Sequence, residues 1–354
     1  MLVGGEGTRL RPLTLSVPKQ MLPIVEQPMI ERVLGQLAMH GIDHAILSLG
    51  YLPDAFMRAY PDALVAGVQL SYAVEPTPLD TAGAIRFAAQ QAGIDDTFVV
   101  VNGDVLTDVD LGALVSFHRR HRAEGSIHLY PVRDPSAFGV VPTDADGRVT
   151  AFIEKPSRQD APTNLINAGT YVLEASVLDR IPEGRRVSIE RETFPSMVRD
   201  GVLYALADQS YWLDTGTPEA YLTAHRDLLE GKRPTPPAPA ARHRGSGVWL
   251  LGSPKIEGAV LGASLIADGA VVCAGATVAD AVVGRGCVVE SGATVSRSVL
   301  LAGVTIREGA SIAGSIAGPG SIVGERSDVR AISVLGAGVV VPPGTVVDGE
   351  RVPA

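Results

Sequence analysis

Two cations and a run of glycines near the N-terminus are the residues best suited to bind phosphate. Residues 2–28 read LVGGEGTRLRPLTLSVPKQMLPIVEQP, a short apolar start followed by Gly4, Gly5 and Gly7. Glycine allows positive φ and lets backbone N–H groups approach a ligand closely. Arg9 and Lys19 add fixed positive charge to the same stretch, and phosphate oxygens suit this combination best.

This stretch differs from both of the common phosphate loops. A P-loop carries a Lys-Ser/Thr pair after its last glycine, and the dinucleotide fingerprint carries a third spaced glycine. Residues 4–9 read GGEGTR and contain neither feature. The sequence therefore predicts a phosphate-binding turn of another kind.

Two aspartates that are far apart in the sequence are candidate metal ligands. Asp104 follows the apolar run of residues 97–101, and Asp214 lies in the segment YWLDTG of residues 211–216. Two such carboxylates could hold one Mg²⁺, which keeps water and phosphate oxygens in its remaining positions. Taken alone, each aspartate is more simply interpreted as a turn or cap residue.

Helical and extended patterns alternate along the chain from its start to Glu230. The predicted helices are residues 28–39, 81–92, 110–122, 188–199 (interrupted near Pro195) and 217–229, and the predicted strands are residues 44–49, 68–74 and 97–101. This alternation predicts an α/β domain with a parallel sheet covered on both faces. Ligands bind beyond the carboxyl ends of such strands, where the glycine-rich turn and Asn102-Gly103-Asp104 both fall.

The periodicity changes beyond about Val248, where aliphatic residues recur six apart with occasional breaks in phase. They are Ile266, Val272, Val278, Val283, Val289, Val295, Ile306, Ile312, Val323, Val329, Leu335, Val341 and Val347. A hexapeptide repeat of this kind predicts a parallel β-helix, in which each face contributes one short strand and one inward side chain. The proline-rich residues 231–247 predict a semi-rigid linker. The expected domains are therefore residues 1–230 and 248–354, joined by that linker.

Composition narrows the class of protein. The chain has 354 residues, a formal net charge of −9 and 46% hydrophobic residues, which argues for two globular domains and against a nucleic-acid surface. No apolar run is long enough to span a membrane, and two cysteines fit a reducing cytoplasm. Met1–Val3 is short for a central strand, which predicts that translation begins several residues upstream; mass spectrometry of the native N-terminus would test this.

The run GGEGTRLRPLT followed by PK closely resembles the signature of the sugar-1-phosphate nucleotidyltransferases (nucleotide-sugar pyrophosphorylases). The segments TAGA (81–84), SIERETFPSMVRDG (188–201) and SVLLAG (298–303) resemble the mannose-1-phosphate guanylyltransferase branch of that family. The resemblance covers nearly the whole chain. It implies a Rossmann-like domain followed by a left-handed parallel β-helix. The implied reaction makes GDP-mannose and pyrophosphate from GTP and mannose 1-phosphate with Mg²⁺.

The resemblance also implies roles for particular residues. Asp104 and Asp214 match metal ligands, Arg9 and Lys19 would hold the triphosphate, and Lys155 would hold the sugar phosphate; these five are the expected catalytic residues. The expected nucleotide-binding residues are Val3, Gly4, Gly5, Gly7, Thr8, Arg9, Lys19, Glu75, Thr81, Ala82, Gly83, Asn102 and Gly103. The expected sugar-phosphate-binding residues are Gly139, Glu154, Lys155, Asn167 and Gly169.

Three alternatives stay open at this point. Asp80 stands where the family usually has glycine, so base choice is unsettled and transfer of uridylyl or thymidylyl to glucose 1-phosphate is an alternative. A non-catalytic regulatory subunit is a second, although all five expected catalytic residues are present. A hexapeptide-repeat acyltransferase would need a histidine base in the β-helix, and the last histidine is His243 in the linker. The β-helix is therefore expected to mediate homo-oligomer assembly or regulation.

Overall fold

The computed structural model describes residues 1–353, which separate into two compact units. The first unit comprises Met1–Gly5 and Ile30–Trp212, and the second comprises Glu6–Met29 and residues 213–353. No helix among the described residues is long and apolar enough to cross a bilayer. The expected boundaries near residues 230 and 247 stay a prediction.

The α-helices are α1 (Met29–Met39), α2 (Pro53–Ala59), α3 (Asp80–Ala92), α4 (Leu111–His121), α5 (Phe194–Asp200) and α6 (Pro218–Leu229). The 3₁₀-helices are Thr8–Leu10, Leu13–Leu15, Lys19–Met21 and Ala175–Arg180, and Ile189–Thr193 is a π-helix that runs into α5. The first thirteen strands are β1 (Pro23–Ile24), β2 (Gln27–Pro28), β3 (His44–Leu49), β4 (Leu64–Val65), β5 (Val68–Val74), β6 (Phe98–Val101), β7 (Val105–Thr107), β8 (Gly125–Pro131), β9 (Gly139–Val140), β10 (Ile153–Glu154), β11 (Leu165–Leu173), β12 (Leu203–Ala207) and β13 (Trp212–Asp214).

Helix boundaries follow the capping signals in the sequence. Asp110 caps α4 by accepting from the backbone N–H of Ala113 at 3.0 Å. Thr217 caps α6 by accepting from Ala220 N–H at 3.2 Å, with a proline at the first helical position. Such caps satisfy backbone donors that have no partner inside the helix. The predicted helices over 110–122 and 217–229 therefore form within one or two residues of their expected ends.

The sheet of the first unit is mixed, so the prediction of a parallel sheet was wrong. Strands β3 and β5 pair in parallel, as do β8 and β12, but β11 runs antiparallel to β6, β8 and β9. The order in the larger sheet is β10-β9-β11-β8-β12, with β6 also on β11. No helix stands between β8 and β11, and antiparallel pairing needs no helical crossover whereas parallel pairing does.

The core of the first unit lies where this sheet meets α3 and α5. Ile127, Leu129 and Leu173 are fully buried on the sheet, and Phe194 at the start of α5 is fully buried against them. Phe194 packs edge-on against Tyr171 of β11, with ring centroids 5.1 Å apart. Apolar burial of this extent fixes β11, which carries several of the expected site residues.

Twenty strands follow residue 241, and all but the first, which pairs antiparallel, form the parallel β-solenoid that the hexapeptide repeat predicted. The strands are β14 (Arg242–Gly245), β15 (Val248–Leu250), β16 (Lys255–Ile256), β17 (Ala259–Leu261), β18 (Ser264–Ile266), β19 (Val271–Val272), β20 (Thr277–Ala279), β21 (Val282–Val283), β22 (Val288–Val289), β23 (Thr294–Ser296), β24 (Val299–Leu300), β25 (Thr305–Ile306), β26 (Ser311–Ala313), β27 (Ile316–Ala317), β28 (Ile322–Val323), β29 (Asp328–Arg330), β30 (Val334–Leu335), β31 (Val340–Val341), β32 (Val346–Asp348) and β33 (Arg351–Val352). They form three sheets of eight, six and six strands.

Stacking within the solenoid explains the breaks in the six-residue period. Ile266 pairs with Val283, and Val283 pairs with Leu300, so each of these pairs spans one turn of the solenoid. The turn from Ile266 to Val283 consists of two steps of six residues and one step of five residues. The shorter step is the one from Val278 to Val283. All thirteen aliphatic residues of the repeat are buried in one continuous core. Strand β14 pairs with β15 and lies at the end of the segment expected to be a linker.

Candidate active site

The glycine-rich turn begins directly after Leu2 and Val3, which belong to the first unit. Leu2 bridges in parallel to Ser48 and to Asn102, and the N–H of Gly103 donates to Leu2 O at 2.9 Å. Val3 is fully buried. These contacts bring Val3, Asn102 and Gly103 together at the carboxyl ends of β3 and β6, as the sequence predicted.

Gly4 and Glu75 lie beside each other next to this point. A Cβ on Gly4 would lie 3.2 Å from Gly50 N and 3.4 Å from Glu75 Oε1, so a side chain here would crowd the carboxylate. Ser48 Oγ donates to Glu75 Oε1 at 3.2 Å, and Leu79 N–H donates to Glu75 Oε2 at 3.0 Å. Both carboxylate oxygens are therefore held in place, and Glu75 fixes the loop that leads into α3.

The start of α3 is tied to the segment before α5 through Thr81. Thr81 Oγ1 donates to Glu190 Oε2 at 2.8 Å and accepts from Ile189 N–H at 2.8 Å. Ala82 is fully buried, and its N–H donates to Val187 O at 2.9 Å. A Cβ on Gly83 would lie 2.7 Å from Arg185 O, a distance that leaves room only for glycine. The three expected residues 81–83 thus hold two segments together.

Asp80 adopts the backbone conformation for which glycine is favoured. Its φ is +61°, and aspartate is among the few residues that tolerate this left-handed region. Its Oδ1 accepts from Thr81 N–H at 2.9 Å, and its Oδ2 lies 3.6 Å from Arg186 Nε. Asp80 therefore occupies a position that favours glycine, and its carboxylate is held by Thr81 N–H and by the neighbouring Arg186.

Asn102, Asn167 and Gly169 form one hydrogen-bonded group. Asn102 N–H donates to Gly169 O at 2.9 Å, and Gly169 N–H donates to Asn167 Oδ1 at 3.0 Å. Gly169 has φ +76°, and a Cβ there would lie 2.6 Å from Asn102 Nδ2. Asn102, expected on the nucleotide side, and Asn167, expected on the sugar side, therefore meet at Gly169, where a side chain would collide with Asn102.

A second group of residues expected to bind the sugar phosphate surrounds the antiparallel pair of β9 and β10. Gly139 pairs with Glu154, and a Cβ on Gly139 would lie 2.7 Å from the Phe152 ring and 3.1 Å from Glu154 Oε2. Lys155 has φ +49°, and its Nζ lies 3.6 Å from Glu154 Oε1 with 58% of the side chain exposed. An exposed ammonium beside a carboxylate suits recognition of a phosphorylated sugar.

Tyr171 connects these groups electrostatically. Its hydroxyl accepts from Asn167 Nδ2 at 2.9 Å. Burial raises the pKa of Tyr171, and the charges of Glu190, Glu154 and Asp104 raise it further. Three carboxylates from three segments therefore lie close enough to act on one buried phenol. This concentration of negative charge favours a bound cation in the same region.

The second unit holds the cations of the turn. Gly7 has φ +61°, and a Cβ there would lie 3.0 Å from Thr14 Cγ2 and 3.1 Å from Lys19 Cβ. Thr14 Oγ1 donates to Gly7 O at 2.8 Å. Lys19 is therefore packed against the turn that carries Arg9, whereas Gly5 and Thr8 lie exposed on it.

Arg9 lies against the segment that contains Asp214. Arg9 Nη2 is 3.8 Å from Asp214 Oδ2, and the side chains are 60% and 25% exposed. Gly216 N–H donates to Asp214 Oδ1 at 2.8 Å, and a Cβ on Gly216 would lie 2.5 Å from Arg9 Nη2. A cation near the start of the chain and a carboxylate from far along it are thus neighbours.

The two expected metal ligands belong to different units, Asp104 to the first and Asp214 to the second. Residues 1–353 contain no group of three or more His, Cys, Asp or Glu side chains arranged around a metal. A pair of carboxylates is a donor set that fits Mg²⁺, because this ion is bound by one or two carboxylates together with water and substrate phosphates. Their sharing of one ion stays a prediction.

Sequence reasoning missed two side chains of this region, Glu190 and Trp212. Glu190 accepts from Thr81 and from Ser188 Oγ at 2.9 Å, within a π-helix of the type often found at functional sites. Trp212 Nε1 donates to Ala168 O at 2.8 Å, and its ring stacks on Tyr130 with centroids 5.4 Å apart. The chain has only two tryptophans, and the position of this one two residues before Asp214 was the available signal.

Comparison with known proteins identifies the class. The family model described as "Nucleotidyl transferase" matches residues 1–231, and the one described as "GMPPB C-terminal domain" matches residues 260–354. The chain belongs to the nucleotidyl transferase family, whose members generally use a divalent metal.

Individual relatives have more specific names. The chain is 45% identical to the mannose-1-phosphate guanylyltransferase of Mycobacterium tuberculosis over 77% of this chain and 78% of that protein. It is 37% identical to the mannose-1-phosphate guanylyltransferase catalytic subunit beta of Xenopus tropicalis over 74% of this chain and 70% of that protein. The crystal structure of HddC from Yersinia pseudotuberculosis is similar with a TM-score of 0.56, 29% identity and coverage of 64% of this chain and 96% of that one. HddC has also been solved in complex with GMP-PN.

Proposed function

We propose that the protein makes GDP-mannose and pyrophosphate from GTP and mannose 1-phosphate. The observation that carries this proposal is the similarity to mannose-1-phosphate guanylyltransferases over about three quarters of the chain. Residue chemistry supports it, because a phosphate-binding turn with two cations and a carboxylate-rich sugar side are the parts that such a reaction requires. The alternative of uridylyl or thymidylyl transfer has no comparable support among these relatives.

The chemical step is an in-line displacement at the α-phosphorus of GTP. A phosphate oxygen of mannose 1-phosphate forms the new bond to phosphorus, the bond to the β-phosphate bridging oxygen breaks, and pyrophosphate leaves. Little proton transfer is needed, since the attacking phosphate is already an anion. Catalysis therefore depends on aligning two anions and neutralising the charge that develops on the transferred group.

The basic residues of the turn supply the fixed positive charge. Arg9 is held over Gly216 beside Asp214, and Lys19 is packed against Gly7, so both are positioned before substrate arrives. Arg9 presents a planar fork that matches two phosphate oxygens, and Lys19 contributes a compact ammonium. We assign them to the triphosphate and the leaving pyrophosphate.

Asp104 and Asp214 would hold the Mg²⁺ through their carboxylate oxygens. When bound, the ion supplies charge neutralisation on the phosphate oxygens. Asp214 is suited to this role because one of its oxygens is fixed by Gly216 N–H, which restricts the carboxylate to one orientation. Asp104 lies close enough to Tyr171 to raise the pKa of its hydroxyl, as do Glu190 and Glu154, so the surroundings of Asp104 in the first unit are rich in negative charge.

The sugar phosphate is assigned to the groups around β9, β10 and β11. Glu154 and Asn167 present a carboxylate and an amide to sugar hydroxyls, and the exposed Lys155 ammonium is free to move onto the sugar phosphate. Gly139 and Gly169 are assigned to backbone contact with the sugar. A Cβ at either position would meet an existing side chain, Phe152 or Asn102, so neither position accommodates a larger residue. On the nucleotide side, Glu75 and Thr81 fix the loop assigned to the base.

A substrate panel tests the proposal. Pyrophosphate release is measured with GTP, UTP, dTTP, ATP and CTP against mannose 1-phosphate and glucose 1-phosphate, with EDTA as the metal-free control. We expect turnover with GTP and mannose 1-phosphate, with much lower rates for the other pairs. Activity confined to UTP or dTTP would reject the proposed substrates, and inactivity with every pair would favour a regulatory subunit.

Two further expectations remain predictions. Leu261, Val340 and Val346 expose 54%, 63% and 54% of their surface on the solenoid, which supports self-association through this domain. Light scattering coupled to size exclusion would measure the mass, and a monomer at micromolar concentration would reject it. Cys273 and Cys287 are both free thiols, in keeping with the cytoplasmic location that cell fractionation would test.

A further inference from the structure

The hairpin that follows Lys19 has an unfavourable backbone conformation. Strands β1 and β2 are joined by the two residues Val25 and Glu26, whose φ values are +48° and +63°. A two-residue turn with positive φ at both positions normally contains Asn-Gly or Gly-Gly. For a β-branched residue such as Val25 this conformation is an outlier, and outliers persist only where the surroundings hold them.

Helix α6 supplies two of the contacts that hold this turn. Val25 is fully buried, and its N–H donates to His225 Nδ1 at 3.2 Å. The hydroxyl of Tyr221 donates to Pro23 O at the start of the hairpin. His225 and Tyr221 are both 2% exposed, so these contacts lie within a packed interior. Helix α6 begins two residues after Gly216, the residue beneath Arg9.

The solenoid supplies the third contact, through Glu26. Arg285 N–H donates to Glu26 Oε2 at 3.3 Å, on the turn that follows β21. Glu26 Oε1 lies 2.9 Å from the place where a Cβ on Gly284 would stand, so the missing side chain of Gly284 makes room for the carboxylate. Burial raises the pKa of Glu26, against the opposing effect of Arg285. A carboxylate kept here despite that cost indicates a specific contact.

The hairpin is joined directly to the phosphate-binding residues. Leu22 N–H donates to Lys19 O at 3.2 Å, and Met29 N–H donates to Leu22 O at 3.1 Å, so one buried residue separates the 3₁₀-helix of Lys19 from the hairpin. Lys19 in turn contacts Gly7 of the glycine-rich turn. A shift of the hairpin therefore reaches Lys19 without an intervening flexible segment.

We propose that Glu26 is a positioning residue, through which the solenoid sets the place of Lys19 and hence the affinity for the nucleoside triphosphate. The proposal rests on the proposed function, because it takes Lys19 to bind the triphosphate. The proposal also assigns the solenoid a role in nucleotide binding. Displacements of the turn after β21 would change nucleotide binding, and sugar-phosphate binding would be unaffected.

Four variants test this proposal. Glu26→Ala removes the carboxylate, and Glu26→Gln keeps an oxygen that can accept from Arg285 N–H while removing the charge. Gly284→Ala places a methyl group against the carboxylate. Gly318→Ala is its matched control, because a Cβ there meets Leu335 O at 2.6 Å just as a Cβ on Gly284 meets Leu300 O at 2.6 Å. Gly318 is part of the same sheet face but two turns further along.

Steady-state kinetics and titration calorimetry with GTP give the readouts. We expect Glu26→Ala and Gly284→Ala to raise KM for GTP and the calorimetric Kd by roughly fivefold to fiftyfold, the range expected when a binding group is displaced by a fraction of an ångström. KM for mannose 1-phosphate should stay unchanged. Glu26→Gln should bind GTP like the wild type, and Gly318→Ala should lower Tm without changing KM for GTP.

A wild-type KM and Kd for GTP in folded Glu26→Ala would overturn the proposal, as would equal effects on both substrates. The substrate panel on the wild type distinguishes failure of the proposed Glu26 role from failure of the proposed function. If the wild type uses another nucleotide, the same four variants are measured with that nucleotide, and the prediction for the Glu26 contact is unchanged.

Discussion

Replacement of Arg9 by alanine separates a catalytic role from a structural one. Arg9 Nη2 lies 3.8 Å from Asp214 Oδ2, with side chains 60% and 25% exposed. Two unit charges about 4 Å apart interact by about 1 kcal/mol in water, and exposed pairs contribute roughly 0–1 kcal/mol to stability. We therefore expect Arg9→Ala to lower the free energy of unfolding by at most about 1 kcal/mol, which shifts Tm by roughly 2–4 °C in domains of this size.

The effect on activity should be much larger. Removal of one preorganised donor from developing charge costs roughly 10²- to 10³-fold in kcat, or about 3–4 kcal/mol of transition-state stabilisation. The assay is pyrophosphate release at saturating GTP and mannose 1-phosphate, together with thermal unfolding of the same preparation. Arg307→Ala is the matched control, because Arg307 Nη1 also pairs with a carboxylate, Glu290 Oε1, at 2.6 Å with comparable exposure, but lies on the solenoid.

The combination of results is the test. Arg9→Ala should be folded and nearly inactive, and Arg307→Ala should be folded and fully active. A folded Arg9→Ala variant with the wild-type kcat would refute the assignment of this guanidinium to the phosphates. Activity lost only in proportion to the unfolded fraction would show that Arg9 serves stability rather than catalysis.

Three other perturbations have defined outcomes. Gly169→Ala should lower the free energy of unfolding by roughly 2–4 kcal/mol in urea titrations, because it forces alanine to φ +76° and its Cβ to within 2.6 Å of Asn102 Nδ2. The control is Gly35→Ala, in the interior of α1, where a Cβ would have open space around it. This variant should raise the free energy of unfolding by roughly 0.5–1 kcal/mol. Burial lowers the pKa of His128 below its ordinary value of 6.5, against the opposing effect of Asp208. The contribution of neutral His128 to stability is therefore present above pH 6.5 and is lost as the pH falls through the lowered pKa. The urea concentration at the unfolding midpoint should decrease as the pH falls through this window, and it should decrease less steeply in His128→Gln. Chelation by EDTA should abolish turnover and added Mg²⁺ should restore it, and a rate insensitive to EDTA would reject the metal assignment.

Local signals predicted the helices and the solenoid because they act over short distances along the chain. The Thr217-Pro218 pair is a cap and a first-turn proline, and it starts α6 as expected. The hexapeptide repeat predicted which valines face the solenoid core because each turn stacks on the next with the same register. In the same way, Gly4 and Gly7 of the N-terminal turn mark positions of close approach and positive φ.

Long-range pairing could not be predicted from such signals. The direction of β11 depends on which strands it meets, and its apolar sequence is compatible with either direction. The contact of Glu26 with Arg285 joins residues 259 positions apart, and Thr81 reaches Glu190 across 109. Neither contact is indicated by a pattern of neighbouring residues in the sequence. The need for glycine at 169 arises from Asn102, a neighbour only in the folded chain.

The assignment of residues 6–29 to the same compact unit as residues 213–353 has a consequence for biosynthesis. These residues are synthesised before the rest of their unit, which begins only at Leu213. At roughly 5–20 residues per second, the nascent hairpin waits about 10–40 s before those partners are made. During that interval Ile24 and Val25, both fully buried in the finished protein, are exposed to solvent or to a chaperone. Ribosome stalling between residues 29 and 213 should therefore yield chains that expose this segment to protease.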